Sequence, residues 1–439
     1  MTVRRIITPD QSPPLRLVAL AVLACLVALA LAMLIGRTGQ RVKASAALSS
    51  KLSLHDALGA QADDARLEHA LAPRPFSFPR DHGPHDGFRN EWWYWTGNLS
   101  ASDGRRFGYQ LTIFRAALGP GKVPRESAWA SDQAFLAHFT LTEAAANRSP
   151  GFHAFERLSR GAVGLAGATG TQGEPFSVWV LDWSAVAMPA ARAVDHDAFT
   201  LRLRARNEAT AIDLRLEQGK APVLQGNAGL SQKGGRAGNA SFYYSLTRMP
   251  TRGVLTVDGQ DIAVDGLSWM DREWSTSALE AGQVGWDWFS LELDDGRDLM
   301  FFRLRRQDGS IDEHSHGSLV DVAGKVTMLA AHDVRIEVLA TWTSPISGTT
   351  YPARFRLSIL HGEAPLTLEI SPMRPNQELD LSFRYWEGAV LARGTGAANA
   401  SGGNRDNPSV DGRDLENRAI AGRGYVELTG YGGDGDDPR

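Results

Sequence analysis

Cysteine is almost absent from this chain. Its 439 residues include one, Cys25, so no intramolecular disulfide can form and zinc sites built on paired thiolates are excluded. Packing and hydrogen bonds must stabilise the body. An excess of either charge is also missing. The 46 basic residues face 50 acidic ones, for a net charge of −4, and no basic stretch is dense enough to hold a polyanion, which argues against a nucleic-acid partner. Nor is there a Gly-x-Ser-x-Gly elbow, a phosphate-binding glycine loop or a dinucleotide fingerprint. The residues call for no cofactor.

Long hydrophobic runs are missing with a single exception. Residues 17–35 read LVALAVLACLVALALAMLI. At about 1.5 Å per residue this run nearly crosses a hydrocarbon core of about 30 Å. It exceeds the signal-peptide core of roughly 7–15 residues. Arg4, Arg5 and Arg16 precede it and Arg37, Arg41 and Lys43 follow it, a weak positive-inside bias. The expectation is that residues 1–36 form a signal anchor, a single transmembrane helix in the inner membrane with the body in the periplasm. Cleavage at Ala44-Ser45-Ala46 and lipidation at Cys25 are the alternatives. Residues 37–75 read as a linker.

From Phe76 onward, short runs rich in Val, Phe, Trp, Tyr and Thr alternate with Gly, Asp and Asn turns. In FTLRLRAR, Phe199, Leu201 and Leu203 point one way, and Thr200, Arg202 and Arg204 the other. That period of two marks strands with one wet face. No helical period longer than three turns appears, so the body is expected to be all-β, in sandwiches or closed barrels. The Gly/Ser/Asn-rich segment 225–240 reads as a connection between two domains, 76–224 and 241–439. Residues 397–414 read as a hairpin loop. The halves echo each other. Trp93-x-Trp95, Asp103-Gly104-Arg105 and Phe107-x-Tyr109 match Trp286-x-Trp288, Asp295-Gly296-Arg297 and Leu299-x-Phe301. Each set predicts a hairpin around a tight Asp-Gly turn.

Tryptophan is abundant, and seven of the 12 lie in EWWYWTG, WMDREW and GWDWFSLELDDGR. As a strand, WMDREW puts Trp269, Asp271 and Glu273 on one face. If that face is interior, desolvation and mutual repulsion raise at least one carboxyl pKa, which makes a usable general acid. The structural alternative is an ion pair with a buried arginine such as Arg115 or Arg248. EWWYWTG puts Glu91, Trp93 and Trp95 on one face, and Trp92 and Tyr94 on the other. His82 with His85, and His314 with His316, carry the donor types of a metal site, but read better as polar loops. His138, in FLAHFTLT, reads as a buried strand imidazole.

The series EWWYWTG, FGYQLTIFR, AHFTLT, FYYSLTRM, LSWMDREWS, GWDWFSLELDDGR, WTSPISGTTYPARF, YWEGAV and GYVELTGY resembles the AttH-like branch of the carotenoid 1,2-hydratase (CrtC) superfamily, from about Phe76 to Tyr431. The resemblance implies two lipocalin-like antiparallel β-barrels and, for the AttH-like branch, work beside an ABC-transporter permease. The hydratases add water to a terminal isoprenoid double bond, and their aspartate with an aromatic two positions earlier matches Asp271 and Trp269. Two activities are therefore expected. One is periplasmic binding of an apolar lipid or isoprenoid in a barrel cavity. The other is cofactor-independent hydration, with Asp271 as acid and Glu273 or Glu91 activating water. Trp93, Trp95, Trp269, Trp286, Trp288, Tyr244 and His138 are the candidate ligand-binding residues. A third possibility is an adaptor that only docks on a permease.

Overall fold

Alternating apolar and polar residues can bury one face only by pairing strand to strand, and the chain forms two curled antiparallel sheets. The computed structural model describes residues 66–119, 127, 129–145, 151–189, 199–276, 279–360, 366–396 and 418–432. The expected transmembrane run and the 397–414 loop lie outside these residues. Among the described residues, no helix is long and apolar enough to cross a membrane. The end of the expected linker packs on the body, with Leu67 and Ala70 buried.

The first sheet begins with β1 (Asn90–Ala101), β2 (Arg106–Ala117), β3 (Gln133–Glu143), β4 (Phe152–Arg160), β5 (Ala166–Thr169), β6 (Ser177–Val180) and β7 (Trp183–Met188). It continues through β8 (Thr200–Asn207), β9 (Thr210–Glu217), β10 (Val223–Leu224), β11 (Leu230–Gln232), β12 (Ala240–Val257) and β13 (Gln260–Ser275). Its order is β4-β3-β2-β1-β13-β12-β9-β8-β7-β6-β5, with β10 and β11 on β12. The sheet curls until its two ends meet. Phe139 of β3 packs edge-on against Trp183 of β7 at 5.8 Å, and Arg157 of β4 reaches Asp182 at 3.6 Å.

The second sheet comprises β14 (Gln283–Leu293), β15 (Asp298–Arg306), β16 (His316–Val320), β17 (Val326–Ala330), β18 (Val334–Thr343), β19 (Thr350–Ile359), β20 (Leu366–Pro372), β21 (Glu378–Asp380), β22 (Arg384–Gly396) and β23 (Arg418–Leu428). Its order is β17-β16-β15-β14-β23-β22-β20-β19-β18. The terminal strands β17 and β18 are consecutive in sequence, joined by a single 3-10 turn, so this sheet also bends back on itself.

The division between the sheets corrects the one expected from composition. Segment 225–240 is no interdomain connection, because β11 lies within it and pairs with β12. The chain leaves the first sheet after Ser275 and enters the second at Gln283. The β12–β13 hairpin cannot belong to the second half, because β13 lies against β1 along its length.

Both expected Asp-Gly hairpins form. Gly104 and Gly296 each have φ +87°, a left-handed conformation that favours glycine. Asp103 accepts from the Arg105 N–H at 3.0 Å, and Asp295 from that of Arg297 at 3.1 Å.

Side chains fill the hollow of each sheet. Trp93, Trp95, Trp183 and Trp274 are fully buried in the first, and Phe289 meets Phe355 at 5.2 Å in the second. The outer faces of the two sheets meet in a seam built from Tyr94, Tyr243, Trp269, Trp288, Met300, Ala389 and Tyr425. Contact there is close enough to require glycine. A Cβ at Gly108 would stand 2.4 Å from that of Ala389.

Candidate functional site

A cavity of about 140 Å³ opens in this seam, not inside either curled sheet. The expectation of a ligand cavity within a barrel is thereby corrected, since indole and aliphatic side chains already occupy both interiors. The first sheet contributes Trp92, Tyr94, Tyr243, Asp271 and Glu273. The second contributes Trp286, Trp288, Phe302, Tyr385, Glu387 and Glu427.

Strand register explains the grouping. Asp271 lies opposite Tyr94 of β1 and Ser245 of β12, and Glu273 lies opposite Trp92 and Tyr243. Cross-strand partners share a face, so Trp269, Asp271 and Glu273 face the second sheet. Met270, Arg272 and Trp274 turn inward.

Asp271 accepts hydrogen bonds from the Tyr243 hydroxyl at 2.5 Å, the Ser245 hydroxyl at 2.6 Å and the Trp269 indole N–H at 2.8 Å. Trp288 donates to the Tyr243 oxygen at 3.1 Å. No arginine or lysine forms an ion pair with Asp271 among the described residues, so the arginine bridge weighed as the structural alternative does not form there, while Glu273 pairs with a lysine, Lys233, instead of an arginine. Arg115 pairs with Glu91, and Arg248 with Asp298. Burial is the main influence on Asp271 and pushes its pKa from 3.8 to about 6, against the pull of its three donors.

That displacement has a consequence for stability. The unfolded carboxyl releases its proton near pH 4, whereas the folded one holds it to about pH 6. The folded state therefore binds more protons across this window, and its stability is lost as pH rises through it. At about 1.4 kcal/mol per pH unit the contribution is on the order of 3 kcal/mol. Urea unfolding of Asp271→Asn at pH 4.5 and 7, read against the parent chain, is expected to show a flatter pH dependence over about pH 4–6. An unchanged slope would refute the assignment.

The opposite wall carries a carboxyl pair. Glu387 of β22 and Glu427 of β23 stand directly across from each other. Burial and the facing Glu427 raise the Glu387 pKa well above the ordinary range, and burial raises Glu427 as well. Tyr94 donates to Glu387 at 2.5 Å and Trp286 to Glu427 at 3.2 Å. Burial and the nearby carboxylates also push the Tyr94 and Tyr243 hydroxyls up, which keeps them hydrogen-bond donors. Glu273 accepts from Ser241 at 2.5 Å and pairs with Lys233 at 3.0 Å. Lys233 in turn lies 4.0 Å over the Phe302 ring. The site therefore combines carboxyls whose hold on a proton is strengthened by burial, fixed donors and aromatic faces, a set suited to handing a proton to a weakly basic, apolar group.

Of the residues expected from sequence, Asp271, Glu273, Trp286 and Trp288 line the cavity, and Trp269 supports Asp271 and meets Trp288 edge-on at 6.5 Å. Glu91, Trp93, Trp95 and Tyr244 do not reach it. They point into the first sheet, because the phase of β1 and β12 turns them away from the seam. Glu91 sits there between Arg115 at 2.6 Å and Arg272. His82 bonds the Tyr244 hydroxyl at 2.6 Å and stacks on Phe199 at 3.6 Å, and His85 stacks on Trp274 at 3.8 Å. His138 stands behind Tyr385 instead of on the cavity wall.

Sequence reasoning missed Tyr94, Lys233, Tyr243, Tyr385, Glu387 and Glu427 as site residues. The signal for the last two lay in YWEGAV and GYVELTGY, each a carboxyl inside an otherwise apolar or aromatic strand.

A model of the AttH-like family matches residues 69–431. Among solved structures, a Nitrosomonas europaea protein provisionally named AttH is 33% identical with a TM-score of 0.67, and the match covers 83% of this chain and 100% of that one. Kievitone hydratase from Nectria haematococca is 16% identical with a TM-score of 0.57, covering 83% and 95% of the respective chains. That likeness is one of fold. None of the curated proteins compared matches the chain.

Proposed function

Because the chain belongs to the AttH-like family, we propose that its seam cavity takes up an isoprenoid-like alkene and adds water to the double bond by general acid catalysis. One observation carries this reading. Asp271 is a buried carboxyl among indoles, held by three donors and, among the described residues, by no cation. That a structural neighbour is a hydratase fits it, but the chemistry rests on Asp271.

Asp271 gives its proton to the less substituted alkene carbon, and the π pair forms the new C–H bond. The tertiary cation left behind is stabilised by the faces of Trp286 and Trp288, an effect worth about 2 kcal/mol or more in a desolvated site. Water bonds to the cation and loses a proton to a carboxylate of the cavity, for which Glu273 and the Glu387–Glu427 pair are within the same lining. The size is apt for a chain end. About 150 Å³ suffices for a benzene-sized group, so one terminal isoprenoid unit enters and the rest of the molecule stays at the mouth.

The inner-membrane tether, the periplasmic setting and the partnership with an ABC-transporter permease are proposed from the sequence. The test starts from the full chain, recovered from the membrane fraction where the tether should hold it. It is incubated with a prenylated phenol in heavy-oxygen water, and the product is read by mass spectrometry. Labelled tertiary alcohol is expected. Binding of the probe without label would sink the hydratase reading and leave an apolar-ligand carrier.

A further inference from the structure

Tyr385 lies where the cavity wall meets a small apolar cluster of Phe152, Leu379 and Phe383. Its hydroxyl shares the cavity-lining face of β22 with Glu387, two positions along the strand, and interacts with it, and it is 2.7 Å from His138 Nδ1. On the other side of the imidazole, Nε2 is 3.1 Å from Glu156 Oε2. Glu156 is half-buried and accepts from the Ser382 backbone N–H at 3.1 Å and hydroxyl at 2.7 Å. The His138 ring is walled by Phe114 at 5.5 Å and Phe383 at 5.0 Å. Among the described residues, Glu156 and Tyr385 are the titratable groups facing it.

The direction of each hydrogen bond follows from what the groups can donate. Ionised Glu156 only accepts, so Nε2 carries the imidazole hydrogen and Nδ1 accepts from Tyr385. The Tyr385 oxygen, which also has the Gln110 amide beside it, keeps a lone pair with which to accept from the protonated Glu387 carboxyl. Every donor points away from the cavity and toward half-exposed Glu156.

We propose that Tyr385, His138 and Glu156 form a proton relay joining the carboxyl pair of the cavity to solvent. In one concerted shift the Glu387 O–H breaks and its proton passes to the Tyr385 oxygen. The former Tyr385 proton goes to Nδ1 and the Nε2 proton to Glu156. Glu387 ends as a carboxylate, Tyr385 and His138 end neutral, and Glu156 carries the proton it can release to water. The reverse shift reloads the pair. His138 touches no substrate and acts through Tyr385. The proposal deepens the hydration reading. Hydration takes a proton from Asp271 and frees one from water, so the carboxyl pair must be able to change its proton count between turnovers.

The test reads the carboxyl itself, not turnover. Protein in ordinary water is mixed into heavy water, and the protonated-carboxyl band, assigned by its loss in Glu387→Gln, is followed by rapid-mixing infrared spectroscopy. His138→Gln can keep both hydrogen bonds but cannot pass a proton. It is expected to slow deuteration of the band on the order of a hundredfold at unchanged amplitude, and Tyr385→Phe should do the same. A wild-type rate in His138→Gln overturns the relay, as does a Glu387→Gln spectrum that has lost no band. If His138→Gln does not fold, Glu156→Gln and Tyr385→Phe decide by the same rates. Failure of hydration with normal relay kinetics would sink only the proposed function.

Discussion

Asp271→Asn is expected to lower kcat for hydration of a terminal isoprenoid double bond by about 10²–10⁴-fold, the usual worth of a positioned general acid, with KM nearly unchanged. The substitution is nearly isosteric. The amide oxygen still accepts from Ser245 and Trp269, and the amide nitrogen donates to the Tyr243 oxygen in place of the bond it received. Folding is not expected to suffer, because burial already favours the uncharged form of this side chain. Steady-state kinetics on the alkene identified by label incorporation, with circular dichroism as the fold control, checks the prediction. A kcat within about threefold of the parent chain would move the acid away from Asp271, and Glu387→Gln would then be the variant to lose the rate.

The largest effect on stability is expected at Glu91. Its carboxylate is fully buried and bridges two buried guanidiniums. It accepts from Arg115 Nε at 2.7 Å and contacts Arg272, whose charge also lies 4.1 Å over the Trp93 ring. The two arginines, with burial opposing them, hold its pKa far below the ordinary carboxylate range. Glu91→Gln leaves two buried cations without their shared counter-ion, and breaking a buried pair in this way costs about 3–5 kcal/mol. The melting temperature should fall by roughly 10 °C. What remains folded should hydrate substrate at the parent rate per molecule, because Glu91 is on the opposite side of the sheet from the cavity. A catalytic role for Glu91 predicts the reverse, an unshifted melting temperature with lost kcat, so differential scanning calorimetry and kinetics on the same preparation separate the two.

The contrast between Glu91 and Asp271 shows what could be read in the sequence. Alternation correctly sorted Trp269, Asp271 and Glu273 onto one face and Glu91, Trp93 and Trp95 onto another, because the side-chain period of a strand is two whatever the fold. Alternation cannot say which face is the inside of a curl and which abuts a neighbouring sheet. That depends on curvature and on contacts between residues hundreds of positions apart, such as Tyr94 with Glu387. Part of the answer was nonetheless present. Eight positions separate Trp95 from Asp103, but seven separate Trp288 from Asp295. With the two turns aligned, the tryptophans are out of phase by one residue. They must point to opposite faces, one pair into a core and the other outward. The sheet boundary was misread for a related reason. Glycine-rich composition marks turns and loose backbone, and residues 225–240 are mostly that, but their short strand β11 pairs with β12, so they do not separate two bodies.

The cavity draws its acid from one sheet and its carboxyl pair and two of its indoles from the other, while each sheet completes its own core without it. The residues that line the cavity and those that fill the two cores are thus largely different sets. Leu279, Phe302 and Leu304 border the cavity and can be resized to admit another guest without opening either hydrophobic interior. A lineage built this way can change its diet by point substitution while its scaffold stays fixed, so divergent substrates are to be anticipated among relatives whose backbones superpose.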